Sequence, residues 1–240
     1  MIRDKNLIKQ GLTRTLRDFL AGTVACALFL GAATASFAAE SGLKIGLLKY
    51  NGGGDWYSGG RALANLLRYA EGTANVDFDF EPRAVEPSSV ELFSYPITFI
   101  NGHGNVALNE NEVANLRAYF NAGGFLFAND DYGMDASFRR EMKKVLPDAE
   151  WYEIPFAHPI YSAITRFPNG LPKIHEHDKA PAQGYGLFAN GVMVCFYDYE
   201  SDLCDGWEAE EIHNDPAEKR KAALDMGVNV LVYALTRGVE

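Results

Sequence analysis

Between residues 43 and 146, short apolar runs alternate with amphipathic helical stretches, and polar, glycine-rich turns separate them. That alternation constrains the fold more than any other feature. Apolar runs at 43–50, 96–101 and 125–129 contain few polar positions, as strands covered on both faces do. Helical periodicity follows each: Ala62, Leu63, Leu66, Leu67 and Ala70 after the first, then Val113, Leu116 and Phe120 behind a cap at Asn109, then Phe138, Met142, Val145 and Leu146 behind a cap at Ser137. The run 76–81 alternates strictly and predicts a half-exposed strand near the sheet edge. The pattern predicts an α/β fold with a doubly wound, mainly parallel sheet. Residues 151–154 predict a further strand. Beyond it short β segments take over at 171–177, 185–189 and 192–199, and Asn190-Gly191 marks a hairpin between the last two. Pro216 opens a final helix carrying Leu224, Val228, Leu231 and Leu235.

The N-terminus points to export. Arg3, Lys5, Lys9, Arg14 and Arg17 precede an apolar run from Phe19 to Ala35, and Ser36-Phe37-Ala38 supplies small residues at −3 and −1. The expectation is a signal peptide over 1–38 and a single domain over 39–240, periplasmic or secreted. The chain carries a net charge of −10, and loss of a leader with five basic and two acidic residues takes it to −13. Such a surface repels phosphate backbones, so nucleic acid is excluded as a partner; no apolar run in the mature chain is long enough to span a membrane. An oxidising compartment permits a bridge between Cys195 and Cys204, although Cys195, in an apolar strand, reads as a small buried hydrophobe.

In a doubly wound sheet the ligand crevice lies beyond the C-terminal strand ends. The loop after the first strand, Asn51 to Gly60, lacks a Gly-Lys-Ser/Thr ending and has Tyr57 where a dinucleotide loop needs glycine. It reads either as a plain surface loop or as a rim bringing Trp56 and Tyr57 over the crevice, with Asp55 beside them as a ligand-binding candidate. After the third strand comes Asn101-Gly102-His103-Gly104-Asn105, and after the fourth Asn129-Asp130-Asp131-Tyr132-Gly133. Adjacent carboxylates at a strand end need hydrogen bonds, a cation or a proton to relieve their repulsion, unless one of them only caps the next helix. Arg139, one turn into that helix, is placed to offset them. The predicted pocket therefore joins His103, Asn105, Asp130, Asp131 and Tyr132, closed by Trp56, with Asp202 to Glu208 as a fourth wall that includes Cys204 and Trp207.

His175 and His177 lie two apart and would share a strand face; with His103 or Asp130 as a third ligand they could hold zinc. A solvated strand end is the simpler reading, so no metal and no cofactor is assigned. His213, in an acidic loop, is read as uninvolved.

Taken in order, Gly53-Gly54-Asp55-Trp56, Gly102-His103-Gly104-Asn105, Gly123-Gly124-Phe125-Leu126 with Asp130-Asp131, Ser137-Phe138-Arg139, His158-Pro159-Ile160-Tyr161 and Asp202-Leu203-Cys204-Asp205-Gly206-Trp207-Glu208, followed by Asn229 and Tyr233, resemble the bacterial domain-of-unknown-function family 4159 of the class I glutamine amidotransferase-like superfamily. The resemblance covers nearly all of the mature chain and implies a flavodoxin-like sheet with a β-rich C-terminal part and a final helix. His158-Pro159-Ile160 is also similar to a segment of the trehalose-utilisation relatives. Working amidotransferases carry a Gly-Gly-Pro-Gly oxyanion turn and a Gly-x-Cys-x-Gly nucleophile elbow; the corresponding places hold Asn101-Gly102-His103-Gly104 and Asn129-Asp130-Asp131-Tyr132-Gly133. The nucleophile position is then Asp131, which cannot perform thiolate acyl transfer. The resemblance thus implies a catalytically silent module of the cell envelope that binds a small molecule or an envelope protein. The alternative is a hydrolase, carbohydrate-related or metal-dependent, using Asp130, Asp131 and His103.

Overall fold

The computed structural model describes residues 42–238. Four short strands, β1 (Ile45–Leu48), β3 (Ile97–Ile100), β4 (Phe125–Asn129) and β7 (Val192–Tyr199), form the centre of a seven-stranded sheet. Its order is β2-β1-β3-β4-β7-β6-β5, with β2 (Arg83–Val85) at one edge and β5 (Tyr152–Glu153) at the other. The first five strands in that order pair parallel; β6 (Gln183–Ala189) pairs antiparallel with both β7 and β5. Every residue of β1, β3 and β4 is buried, as the unbroken apolar runs require of strands covered on both faces.

The two-residue strand period sends alternate side chains into two cores. Phe125 and Phe127 of β4 pack with Ile45, Phe99 and the helices α1 (Gly60–Ala74), α4 (Leu203–Trp207) and α6 (Ala217–Thr236). Leu126 and Ala128 pack on the other face with α2 (Glu110–Asn121) and α3 (Asp135–Val145). A fifth short helix, α5 (Glu210–His213), links α4 to α6. The described residues form one compact unit. The leader expected over 1–38 lies outside the described residues, and among the described residues no helix is long and apolar enough to cross a membrane.

Local chemistry explains the boundaries. Asn109 and Glu112 form a reciprocal capping box at the start of α2. Asn190 (φ 51°) and Gly191 (φ 79°) are both left-handed, the conformation a two-residue hairpin between β6 and β7 demands.

Three expectations are corrected. The alternating run 76–81 makes only one bridge, Phe78 to Leu43, and the edge strand follows Pro82 at Arg83–Val85. β1 is four residues long and its register pairs Gly46 with Arg83, so the ladder leaves the alternating run beyond its end. Residues 171–177 form no strand: Pro172 has no N–H for a ladder, and His175 and His177 are held by Asp202 instead. Ser137 does not cap α3, which begins at Asp135; its buried hydroxyl donates to the Met134 carbonyl and accepts from the Val106 N–H. Cys195 and Cys204 are both buried free thiols.

Candidate functional site

The C-terminal ends of β1, β3, β4 and β7 meet in one carboxylate-rich crevice. Its floor is Asp131, 5 % exposed. Asn129 Nδ2 donates to Asp131 Oδ1 at 2.6 Å, while Asn101 Nδ2 and Ser58 Oγ donate to Oδ2 at 3.0 and 3.2 Å. Burial, then the charge on Asp202, push the Asp131 carboxyl up to about 7, against the pull of the Asn101 hydrogen bond. Its backbone is not left-handed, so the turn lacks the strain of a nucleophile elbow.

Above Asp131 stands His103, well exposed. Its backbone N–H donates to Asp55 Oδ1 at 2.6 Å, and its Nδ1 lies 3.2 Å from Asp55 Oδ2 and 3.9 Å from Asp131 Oδ2. Gly102 makes this approach feasible: at φ 139° a Cβ would collide with the Tyr50 hydroxyl and come within 2.9 Å of the Asp55 carboxylate. Half-buried Trp56 packs edge-on to Tyr57, which is 67 % exposed, and Tyr132, 50 % exposed, bridges to His103 through the backbone. Asn105 sits on the outer rim, donating to the Gly52 carbonyl and accepting from Arg140.

On the far side Asp202, 2 % exposed, accepts from His175 and His177 at Oδ2. Burial alone would raise its carboxyl; those two histidines hold it below the usual range, so of the Asp131–Asp202 pair Asp202 keeps the charge. The hydrogen bond that His175 donates to Asp202 lifts its imidazole to about 9, and His177 is raised for the same reason. At the end of β7, Asp198 is wholly buried and raised well above the carboxylate range by burial, then by Asp202 and Asp131.

Thus Asp55, His103, Asp131 and Tyr132 gather as the sequence predicts, and Asp202 joins them electrostatically, whereas Trp56 packs against both hydrophobic cores and the Tyr57 ring. Others do not. Asp130 turns away: its Oδ1 accepts from the Met134 N–H, capping the turn into α3, and its Oδ2 accepts from the Tyr197 hydroxyl. Arg139 does not offset the carboxylates; it binds Asp135 at 2.6 Å and lies over the Tyr185, Tyr197 and Trp151 rings. Trp207 is no pocket wall but core, wholly buried against Phe99 and Phe127 with its indole N–H on the Ala223 carbonyl. Cys204 is equally buried, its thiol raised by desolvation and then by Asp131, and its N–H donates to Asn129 Oδ1. Glu208 is nearly buried, and its carbonyl accepts from Arg220. His213, read as uninvolved, packs on the His175 ring at 5.1 Å.

The sequence reading passed over Asn101, Asn129 and Ser58 as ligands of Asp131, and Asp198. Asp198 carried a readable signal, a lone acid within the apolar run of β7.

Fold and crevice together define an α/β protein with a polar, carboxylate-lined site at its parallel strand ends. The family model described as Domain of unknown function (DUF4159) matches residues 44–235, and the chain belongs to that family. No curated protein matches it.

Proposed function

We propose that the chain is an exported ligand-binding module of the cell envelope, built on a glutamine amidotransferase-like frame that lacks the acyl-transfer nucleophile. The observation that carries this reading is Asp131. The residue at the nucleophile position is sunk beneath the surface, held by three donors, and has an unstrained backbone. The parallel order β2-β1-β3-β4 supports the flavodoxin-like part of the reading, and the basic-apolar-small pattern of residues 1–38 supports export.

The crevice chemistry favours a hydroxyl-rich ligand. Asp55 and His103 offer hydrogen-bond acceptors that can discriminate hydroxyl groups, and Tyr57, Tyr132 and Trp56 supply flat apolar faces with polar tips at the rim. Oligosaccharide fragments of the cell wall have that chemistry. A second reading, hydrolysis, is favoured by the Asp55–His103 pair, in which a carboxylate orients a well-exposed imidazole.

Calorimetric titration with soluble peptidoglycan fragments and chito-oligosaccharides tests both. The module reading expects saturable binding, lost in His103→Ala with little change in melting, and no turnover. Released reducing ends that depend on His103 would establish the hydrolase instead. Absence of binding to every glycan would remove the ligand class.

A further inference from the structure

Beyond Asp202 lies a cluster that the crevice reading does not use. His175, Asp205 and His213 come from three separate segments, yet one donor atom of each lies within 4.8 Å of the others. His175 Nδ1 is 2.9 Å from Asp205 Oδ2, and His213 Nε2 is 3.4 Å from Asp205 Oδ1. Asp202 Oδ2 is 3.1 Å from the same His175 nitrogen, and its Oδ1 is buried with no hydrogen-bond partner.

We propose that His175, Asp205 and His213 form a three-residue binding site for a divalent transition metal of the zinc class, the remaining position being left to solvent. Imidazole nitrogens mixed with carboxylate oxygens suit zinc rather than calcium or magnesium, which take oxygen alone. Donors about 2.0–2.1 Å from a tetrahedral ion stand roughly 3.3 Å apart; His175 Nδ1 is 2.9 Å from one Asp205 oxygen and His213 Nε2 3.4 Å from the other, so Asp205 sits between the two imidazoles at spacings that bracket that value. The far nitrogen of His175 is also provided for. Its Nε2 lies 3.0 Å from Asp215 Oδ2, and Lys219 braces Asp215 at 3.3 Å. A carboxylate on the non-ligating nitrogen fixes the tautomer that leaves Nδ1 free for the metal. His213 and Asp205 remain about a third and a quarter exposed, which gives the ion a path from solvent. His177 touches Asp202 from beneath the Tyr132 ring and orients it without being a ligand.

The test is zinc binding by the purified chain after chelator treatment, read by calorimetry and by the visible spectrum of the cobalt(II) form. The expected result is one ion per chain and a tetrahedral cobalt band. His213→Ala and Asp205→Asn should each weaken binding about tenfold or more, as should Asp215→Asn through the outer shell. His103→Ala should keep the ion, which separates this site from the glycan crevice. Equal zinc affinity in the unaltered chain and in His213→Ala, or none in either, would overturn the proposal. If His213→Ala fails to fold, the cobalt spectrum of the unaltered chain decides: only the octahedral aquo-ion band overturns the site.

Discussion

Replacing Asp131 by asparagine should stabilise the protein at alkaline pH and leave it nearly unchanged in acid. The folded-state carboxyl is raised from 3.8 to about 7 by burial and then by Asp202. The folded state therefore binds this proton more tightly than the unfolded chain does. Its contribution is fully present below the unfolded value near 4 and is lost as pH rises through about 7. At about 1.4 kcal/mol per unit, the penalty on the unaltered chain above neutrality is on the order of 2–4 kcal/mol. The amide introduced by Asp131→Asn never ionises and escapes it. Hydrogen bonding changes little. Asn129 can still donate to the side-chain oxygen, and turning over the Asn101 amide offers its Oδ1, now buried without a partner, to the new NH2. That flip exchanges one unpartnered polar atom for another, so the electrostatic difference dominates. Urea midpoints at about pH 5 and pH 8 measure the effect, with a gain at pH 8 that shrinks in acid. A loss of stability at pH 8, or an equal shift at both pH values, would refute the reasoning and make Asp131 an ionised structural acceptor.

Trp207→Ala should destabilise by about 3–5 kcal/mol, because it empties a wholly buried site between Phe99 and Phe127; a thermal melt equal to the parent's would contradict this. Gly124→Ala should also destabilise, since its Cβ would run into the Tyr119 ring, and a melting temperature equal to the parent's would contradict that contact. The exported protein should begin near Ala39; intact-mass measurement of a soluble cytoplasmic form retaining residues 1–38 would contradict export. Incubation with glutamine should release no ammonia above a buffer control, and a rate abolished by Asp131→Ala would make that carboxylate a nucleophile.

The parallel half of the fold was legible because each of its central strands is an apolar run too short for a helix, bounded by Asn, Asp or Gly. The same turns disclosed His103 and Asp131, which topology then brought to neighbouring strand ends. What stayed illegible depended on direction. Asp130 and Asp131 are adjacent in sequence, yet one faces α3 and the other the crevice, and only the backbone of the turn decides which. Trp207 and Cys204 sit in an acidic segment that reads as a surface wall, but α4 rolls both into the core while leaving Asp202 and Asp205 at the polar end. Arg139 was placed correctly on its helix and paired with the wrong acid, because Asp135 stands four residues before it on the same face. The gathering of His175 and His213 around Asp205 has no sequence signature, since the three segments carry no common spacing.

The central claim is that the loops after β1, β3 and β4 form a ligand crevice over Asp131. Amide hydrogen exchange of the purified chain, with and without saturating peptidoglycan fragments, tests it most directly. Slowed exchange concentrated in residues 52–58, 101–105 and 129–133, and absent in His103→Ala, is the expected result. Protection falling on other segments, or none despite measurable binding, would place the ligand elsewhere and contradict the account.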